Sequence, residues 1–166
     1  QKHSSKIVDD LESGDMVIRD LGYFSTTVFR QIIQKEAYFL SRLRSNVNIY
    51  EENGEVLVPI AIGIDELLRK KKRKNINTID INVRLSNKEQ LPVRLVAIRV
   101  PEKIANERRR KAKKDRSKSA NHSKSYYERL DWVIFITNVP KEIWKPKSLF
   151  TVYSYRWRIE IIFKSW

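Results

Sequence analysis

The chain has 166 residues, 41% of them hydrophobic, which suits one domain with a real core, and 34 Lys and Arg against 20 Asp and Glu leave a net charge of +14. Such a surplus attracts polyanions, nucleic acid first. No apolar run approaches the length of a membrane span and no signal-peptide pattern opens the chain, so a cytoplasmic protein with no membrane partner is expected. The absence of cysteine excludes disulfides, thiolate chemistry and Cys-ligated zinc, and His3 and His122 stand alone, so any metal must be held mainly by carboxylates.

In chain order, Met16 to Asp20 is a short apolar run that ends in an acid before the turn residue Gly22, which predicts a buried strand with Asp20 at its C-terminal end. Ser25 is placed to cap a helix whose apolar residues Val28, Phe29, Ile32 and Ile33 recur at helical spacing. Ala37 to Leu43 reads as the next strand, and strand, helix, strand is an α/β signature. Asn53-Gly54 then separates two extended runs, Val47 to Tyr50 and Glu55 to Ile60, as a hairpin turn does. Further strands are expected at Thr78 to Leu85, where polar and apolar residues alternate, and at Leu91 to Val100. After Pro101 the chain is polar and helical to about Ser119, and Asp131 to Thr137 reads as a second buried strand. The middle of the chain therefore reads as inserted between two core strands. No internal repeat is present.

Two basic runs stand out. Arg69 to Lys74 is unbroken, and Arg108, Arg109, Arg110, Lys111, Lys113, Lys114, Arg116 and Lys118 form the second. Together they hold fourteen of the cationic side chains. A solvated helix face is the ordinary fate of a charge run, but so uneven a placement favours contact with nucleic-acid phosphates, without base preference.

The segment from Tyr153 to Trp166 has a helical period. At 100° per residue Tyr153, Arg156, Glu160 and Lys164 share a polar stripe, beside an apolar one formed by Val152, Tyr155, Ile159, Ile162 and Trp166. Taken alone, Arg156 and Glu160 are as readily a helix ion pair. The spacing Tyr153, Arg156, Glu160 nevertheless resembles the start of the signature Tyr, two residues, Arg, three residues, Glu, six residues, Lys of one group of bacterial insertion-sequence DDE transposases. Asp20-Leu21-Gly22-Tyr23-Phe24 resembles the segment that bears the second Asp of that family, and Trp132 to Asn138 resembles the strand leading to its last helix.

That resemblance implies part of an RNase H-like α/β core, residues 1–45 and 126–166, with a β-rich basic insertion at 46–125. It implies Asp20 and Glu160 as catalytic carboxylates that ligate Mg²⁺ or Mn²⁺, and cut-and-paste transposition by metal-dependent hydrolysis and strand transfer at transposon ends. Its partners are then double-stranded DNA at those ends and target DNA, with a homodimer in the DNA complex. The DNA contacts implied or expected are Tyr153, Arg156, Trp132 and Lys164, with Arg108, Arg109, Arg110, Lys111, Lys113 and Lys114 from the basic run. Trp132 is matched to a tryptophan that stacks on a flipped base, with a buried sheet aromatic as the equal alternative. No segment matches the family's first Asp, and the signature's final Lys falls just past Trp166, so the chain is expected to be a fragment, inactive alone. A nuclease without strand transfer and a noncatalytic DNA-binding module stand as alternatives.

Overall fold

The computed structural model describes residues 8–52, 60–86, 88–114 and 122–164, with side chains as far as 156. Its strands are β1 (Met16–Arg19), β2 (Tyr38–Arg42), β3 (Ile49–Glu51), β4 (Thr78–Leu85), β5 (Leu91–Arg99) and β6 (Trp132–Thr137). They form one mixed sheet in the order β1-β2-β6-β5-β4-β3. The helices are α1 (Thr26–Gln34), α2 (Ile64–Arg73), α3 (Glu102–Lys114), α4 (Lys124–Arg129) and α5 (Pro146–Lys164).

Side-chain alternation along each strand supplies two apolar faces. On one, Phe39, Leu95, Trp132, Ile134 and Ile136 meet Phe29 and Ile32 of α1 and Leu68 of α2. On the other, Leu40, Val96, Val133 and Phe135 meet Ala105 of α3 and Leu149 and Tyr153 of α5. Every residue of β6 is buried, as befits a central strand covered on both sides. Helices therefore sandwich a six-stranded sheet, the mixed α/β architecture expected. The strands of the 46–125 stretch continue the same sheet, since β5 pairs with β6 from Arg94↔Thr137 to Arg99↔Trp132.

Local chemistry sets the connections. β1 and β2 are parallel, joined through α1, whose cap is the predicted Ser25 accepting from the Val28 N–H. Asp20 directly follows β1 and caps a short 3-10 turn, Leu21–Tyr23, by accepting from the Leu21 N–H at 2.7 Å. The Asn138 side chain accepts from the Phe39 N–H and donates to the Ala37 carbonyl, so it extends the β2 to β6 ladder past its last strand pair. Arg94 fixes the approach to α5. It forks onto Asp80 with two bonds of 2.8 Å and donates to the carbonyls of Val139 and Trp144. Pro146 then opens α5, where its missing N–H costs no hydrogen bond.

Two elements differ from expectation. Helix α2 was read only as a basic run. Asp65 and Glu66 lie in its first turn and Lys70 to Arg73 in its last, the arrangement that opposes the helix dipole, so much of the run's placement has a local cause. The Asn53-Gly54 turn lies outside the described residues, but the chain does return antiparallel. Glu51 N–H donates to the Ile60 carbonyl, Ile62 N–H donates to that of Ile49, and Tyr50 bridges Ala61.

Candidate active site

Asp20 stands where β1 leaves the sheet, at the carboxyl end of two parallel strands, a usual place for ligand sites in α/β folds. Met16 and Ile18 of β1 pack on the α5 side, and the backbone is still extended at Asp20, so the alternation carries its carboxylate to that same side. There Arg156 of α5 approaches it, Nη1 to Oδ2 3.4 Å. These residues are 136 positions apart, and the helix and the strand are brought together by the buried contact of Leu149 and Tyr153 with the sheet.

Tyr153 lies one turn before Arg156 and is only 5% exposed. Its ring packs 5.1 Å from that of Phe135 and the Arg156 guanidinium lies 5.5 Å from its centroid. Burial pushes its phenol above the usual tyrosine range, Asp20 adds to the shift, and Arg156 and Arg42 oppose it. By strict geometry the hydroxyl makes no hydrogen bond among the described residues, although Arg156 lies close enough to act on it as a hydrogen-bonding neighbour. A buried donor that is aimed beside a carboxylate and a guanidinium is equipped to meet a polar ligand.

This face of α5 corrects the reading of its stripes. Tyr153, assigned to the polar stripe, is buried, whereas Tyr155, assigned to the apolar one, is 46% exposed. Leu149, Val152, Tyr153 and Arg156 face the sheet and the site together. Periodicity of hydrophobicity misses such a face because the turn from Tyr153 to Arg156 carries polar groups inward. Glu160 and Lys164 belong to the same helix, Glu160 one turn past Arg156, and their side chains lie outside the described residues.

The remaining candidates divide. Trp132 is 2% exposed and packs in the core on the α1 and α2 side of the sheet, so the alternative of a buried sheet aromatic describes it and its ring offers no face to a base. Arg108 is half-buried and donates to the carbonyls of Leu130 and Trp132. Arg109 bonds Glu102, Asn106 and Asp131. Both therefore tie α3 to its neighbours. Arg110, Lys111, Lys113 and Lys114 are exposed on the rest of that helix, while Arg116 and Lys118 lie outside the described residues.

Two residues escaped sequence reasoning. Asp131 is a buried carboxylate paired with Lys72 of α2 and Arg109 of α3, so it anchors both basic helices at the start of β6. Its position directly before an apolar run was the available signal. Arg42 ends β2 on the site's side of the sheet, and only the strand register reveals that. Among the described residues no group of three or more His, Cys, Asp or Glu side chains could hold a metal ion, and no helix is long and apolar enough to cross a membrane.

A family model described as transposase DDE domain matches residues 2–166. The chain is 32% identical over 177 residues, 98% of its length, to the transposase for insertion sequence element IS231F of Bacillus thuringiensis subsp. israelensis, covering 36% of that protein. It is 35% identical over 167 residues to the transposase for IS231D of Bacillus thuringiensis subsp. finitimus, covering 94% of this chain and 35% of that protein. With the transposase for IS1151 of Clostridium perfringens it shares 23% over 168 residues, covering 92% and 34% respectively. The chain thus spans about a third of the length of these relatives. No solved structure matches it.

Proposed function

We propose that this chain, which belongs to the transposase DDE domain family, contributes part of the active site of a DNA transposase. The observation that carries the reading is the 3.4 Å approach of Arg156 to Asp20, on the helix that bears Glu160 one turn further on. The reading takes the sheet and its helices as part of an RNase H-like core, with residues 46–125 as a β-rich insertion that extends its sheet. Asp20 and Glu160 are its two acidic ligands for Mg²⁺ or Mn²⁺, and no residue of this chain is assigned the first Asp of the triad. The donor chemistry at Asp20 fits such an ion: a partly exposed carboxylate, one oxygen held by the Leu21 N–H. When bound, divalent cations of this kind supply charge neutralisation and activation of water or a 3′-hydroxyl for in-line displacement at phosphorus.

The chain's own residues do the rest. Arg156 is placed to hold a phosphate next to Asp20 by a charge-assisted hydrogen bond, and when the phosphate arrives it exchanges a carboxylate for another anion at little cost. Tyr153 donates its hydroxyl to the same group. The exposed cations Arg110, Lys111, Lys113 and Lys114 hold the flanking duplex by its backbone, with Lys164 as a further contact from α5. Arg108, Arg109 and Trp132, engaged in the fold, are left out of that surface. The substrates are double-stranded element ends and target DNA, acted on by cut-and-paste in a homodimeric complex.

The test uses the full-length protein with Mg²⁺ and labelled duplexes carrying the element's ends. Asp20→Asn and Glu160→Gln each abolish nicking while binding persists, and the unchanged protein yields joined strand-transfer products. Nicking that survives Asp20→Asn overturns the active-site assignment. Nicking without joined product points to an RNase H-like nuclease instead, and binding without either to a noncatalytic module.

A further inference from the structure

Asp20 opens a turn, Leu21–Tyr23, that contains no buried residue. A Cβ added at Gly22 would meet nothing within 4 Å, so packing does not fix the middle of the turn. Within it the Tyr23 N–H donates to the Asp20 carbonyl at 3.0 Å, and the Phe24 N–H donates to that of Leu21 at 3.3 Å. Such i to i+3 bonds have poorer geometry than those of an α-helix and hold a lone turn weakly. Beyond the turn the chain is anchored again, since Phe24 packs edge-on against the buried ring of Phe29 and Ser25 caps α1. The piece between β1 and that anchor carries the carboxylate.

Arg19 supports it from behind. Val17 packs on the α1 and α2 side of the sheet and Ile18 on the α5 side, so the alternation turns Arg19 away from α5 and Asp20 toward it. The Arg19 side chain is 4% exposed. Its Nε–H donates to the Tyr23 carbonyl at 3.2 Å, and its guanidinium lies 5.9 Å from the centroid of the Tyr23 ring. Both contacts fall on the residue that closes the turn Asp20 opens. Burial pulls the guanidinium below the usual arginine range, with Tyr23 opposing, so its place in the fold carries a desolvation cost that an apolar side chain of similar length avoids. The two arginines near Asp20 thus divide by face: Arg156 stands in front of the carboxylate, where a ligand arrives, and Arg19 behind the turn.

We propose that Arg19 is a positioning residue of this site, which holds the Leu21–Tyr23 turn in place and through it aims the Asp20 carboxylate. The assignment rests on the active-site reading of Asp20 above and deepens it. One carboxylate oxygen is held by the Leu21 N–H at 2.7 Å, and that N–H points wherever the turn points. A turn free to rock carries the N–H with it, and the carboxylate follows. Mg²⁺ demands near-ideal ligand geometry, so a carboxylate that wanders is a poorer ligand even though its charge is unchanged.

The test uses the full-length protein with Arg19→Met, Arg19→Lys and the double variant Arg19→Met with Gly22→Ala, beside Asp20→Asn. Single-turnover nicking of a duplex carrying the element's ends is followed across Mg²⁺ concentrations, together with duplex affinity, thermal unfolding and amide hydrogen exchange of the metal-free protein. Arg19→Met slows nicking about 10- to 100-fold and raises the Mg²⁺ concentration needed for half the maximal rate. Its duplex affinity and melting temperature stay as they are, because the buried guanidinium meets no DNA and an apolar chain fills its place. The amides of Tyr23 and Phe24 exchange faster in it. Arg19→Lys recovers part of the rate, since an ammonium still reaches a carbonyl. Gly22→Ala added to Arg19→Met also recovers part of it, by stiffening the turn without returning a charge. An unslowed Arg19→Met overturns the proposal, as do unchanged exchange at Tyr23 and Phe24 or a melting temperature that falls with the rate, since the guanidinium then serves the fold at large. If Asp20→Asn is inactive while Arg19→Met is not slowed, only this proposal falls. If Asp20→Asn still nicks, the active-site reading falls and takes the proposal with it.

Discussion

A phenol and a guanidinium one turn apart on α5, both turned toward a strand-end carboxylate, place opposite demands on their surroundings. Tyr153 is buried, and by strict geometry its hydroxyl makes no hydrogen bond among the described residues, which costs the fold about 1 to 3 kcal/mol when such a group is left unsatisfied. Tyr153→Phe is therefore expected to leave the melting temperature at pH 7 unchanged or raise it, while it weakens DNA binding. The same burial raises the phenol's pKa, so the folded chain keeps a proton that the unfolded chain loses near pH 10. The folded state holds more protons above that value, and stability falls as pH rises between the two pKa values. Melting curves from about pH 9 to 12 should show this alkaline loss in the unchanged chain and a smaller one in Tyr153→Phe. Equal losses would mean that the hydroxyl is hydrated in the fold. Trp132 makes the contrary case. It is wholly interior, and Trp132→Ala should cost about 3 to 5 kcal/mol of stability, read by denaturant unfolding. Little loss of stability would favour the other reading of the ring, as a base-stacking platform.

At the scale of elements, Asp131 decides how the two basic helices sit. It is buried at the start of β6 and receives Lys72 from α2 and Arg109 from α3, whose own side chains are partly open to water. The two ways of breaking this triad are not equivalent. Replacing Lys72 and Arg109 together by Ala leaves a buried carboxylate without partners, which costs about 3 to 5 kcal/mol. Asp131→Asn leaves two cations that water reaches, and should cost less. The comparison is made by urea unfolding, and equal costs would place Asp131 in water. The anchoring also explains what the sequence could and could not disclose. The runs Met16 to Arg19, Thr78 to Leu85 and Trp132 to Thr137 announce themselves as strands because burial on one or both faces writes a pattern into every residue. Ser25 announces a helix because a cap must lie at one position. Helix α2 carries equally good marks, Asp65 and Glu66 before Lys70 to Arg73, but there the same charges also read as a surface for DNA. Charge that supports a helix end and charge that meets phosphate are spelled with the same residues.

For the whole molecule the proposed DNA reading raises the question of how much of the +14 is placed to reach phosphate. Sequence spacing linked Tyr153, Arg156 and Glu160 on one helix, and the fold brought Asp20 to Arg156; Arg42 was hidden because strand order, which no linear pattern records, is what sets β2 beside β1. Strand order also changes the meaning of the second basic run. Arg108 and Arg109 are turned inward by the packing of Ala105 and Ala112, whereas Arg110, Lys111, Lys113 and Lys114 point away. Counterion release depends only on cations that reach phosphate, each contributing about 0.9 to the log–log salt slope. Converting the four exposed residues to Gln should thus lower the slope by up to about 3.6 and leave the fold intact. Converting Arg108 and Arg109 to Gln should do the reverse, lowering the melting temperature through the bonds lost at Leu130, Trp132 and Asp131, with a much smaller change of slope. Anisotropy and calorimetry on the same two variants separate the roles. Should the inward pair reduce the slope as strongly as the outward four, α3 must swing away from β6 when DNA binds, and the surface drawn from its present exposure would be the wrong one.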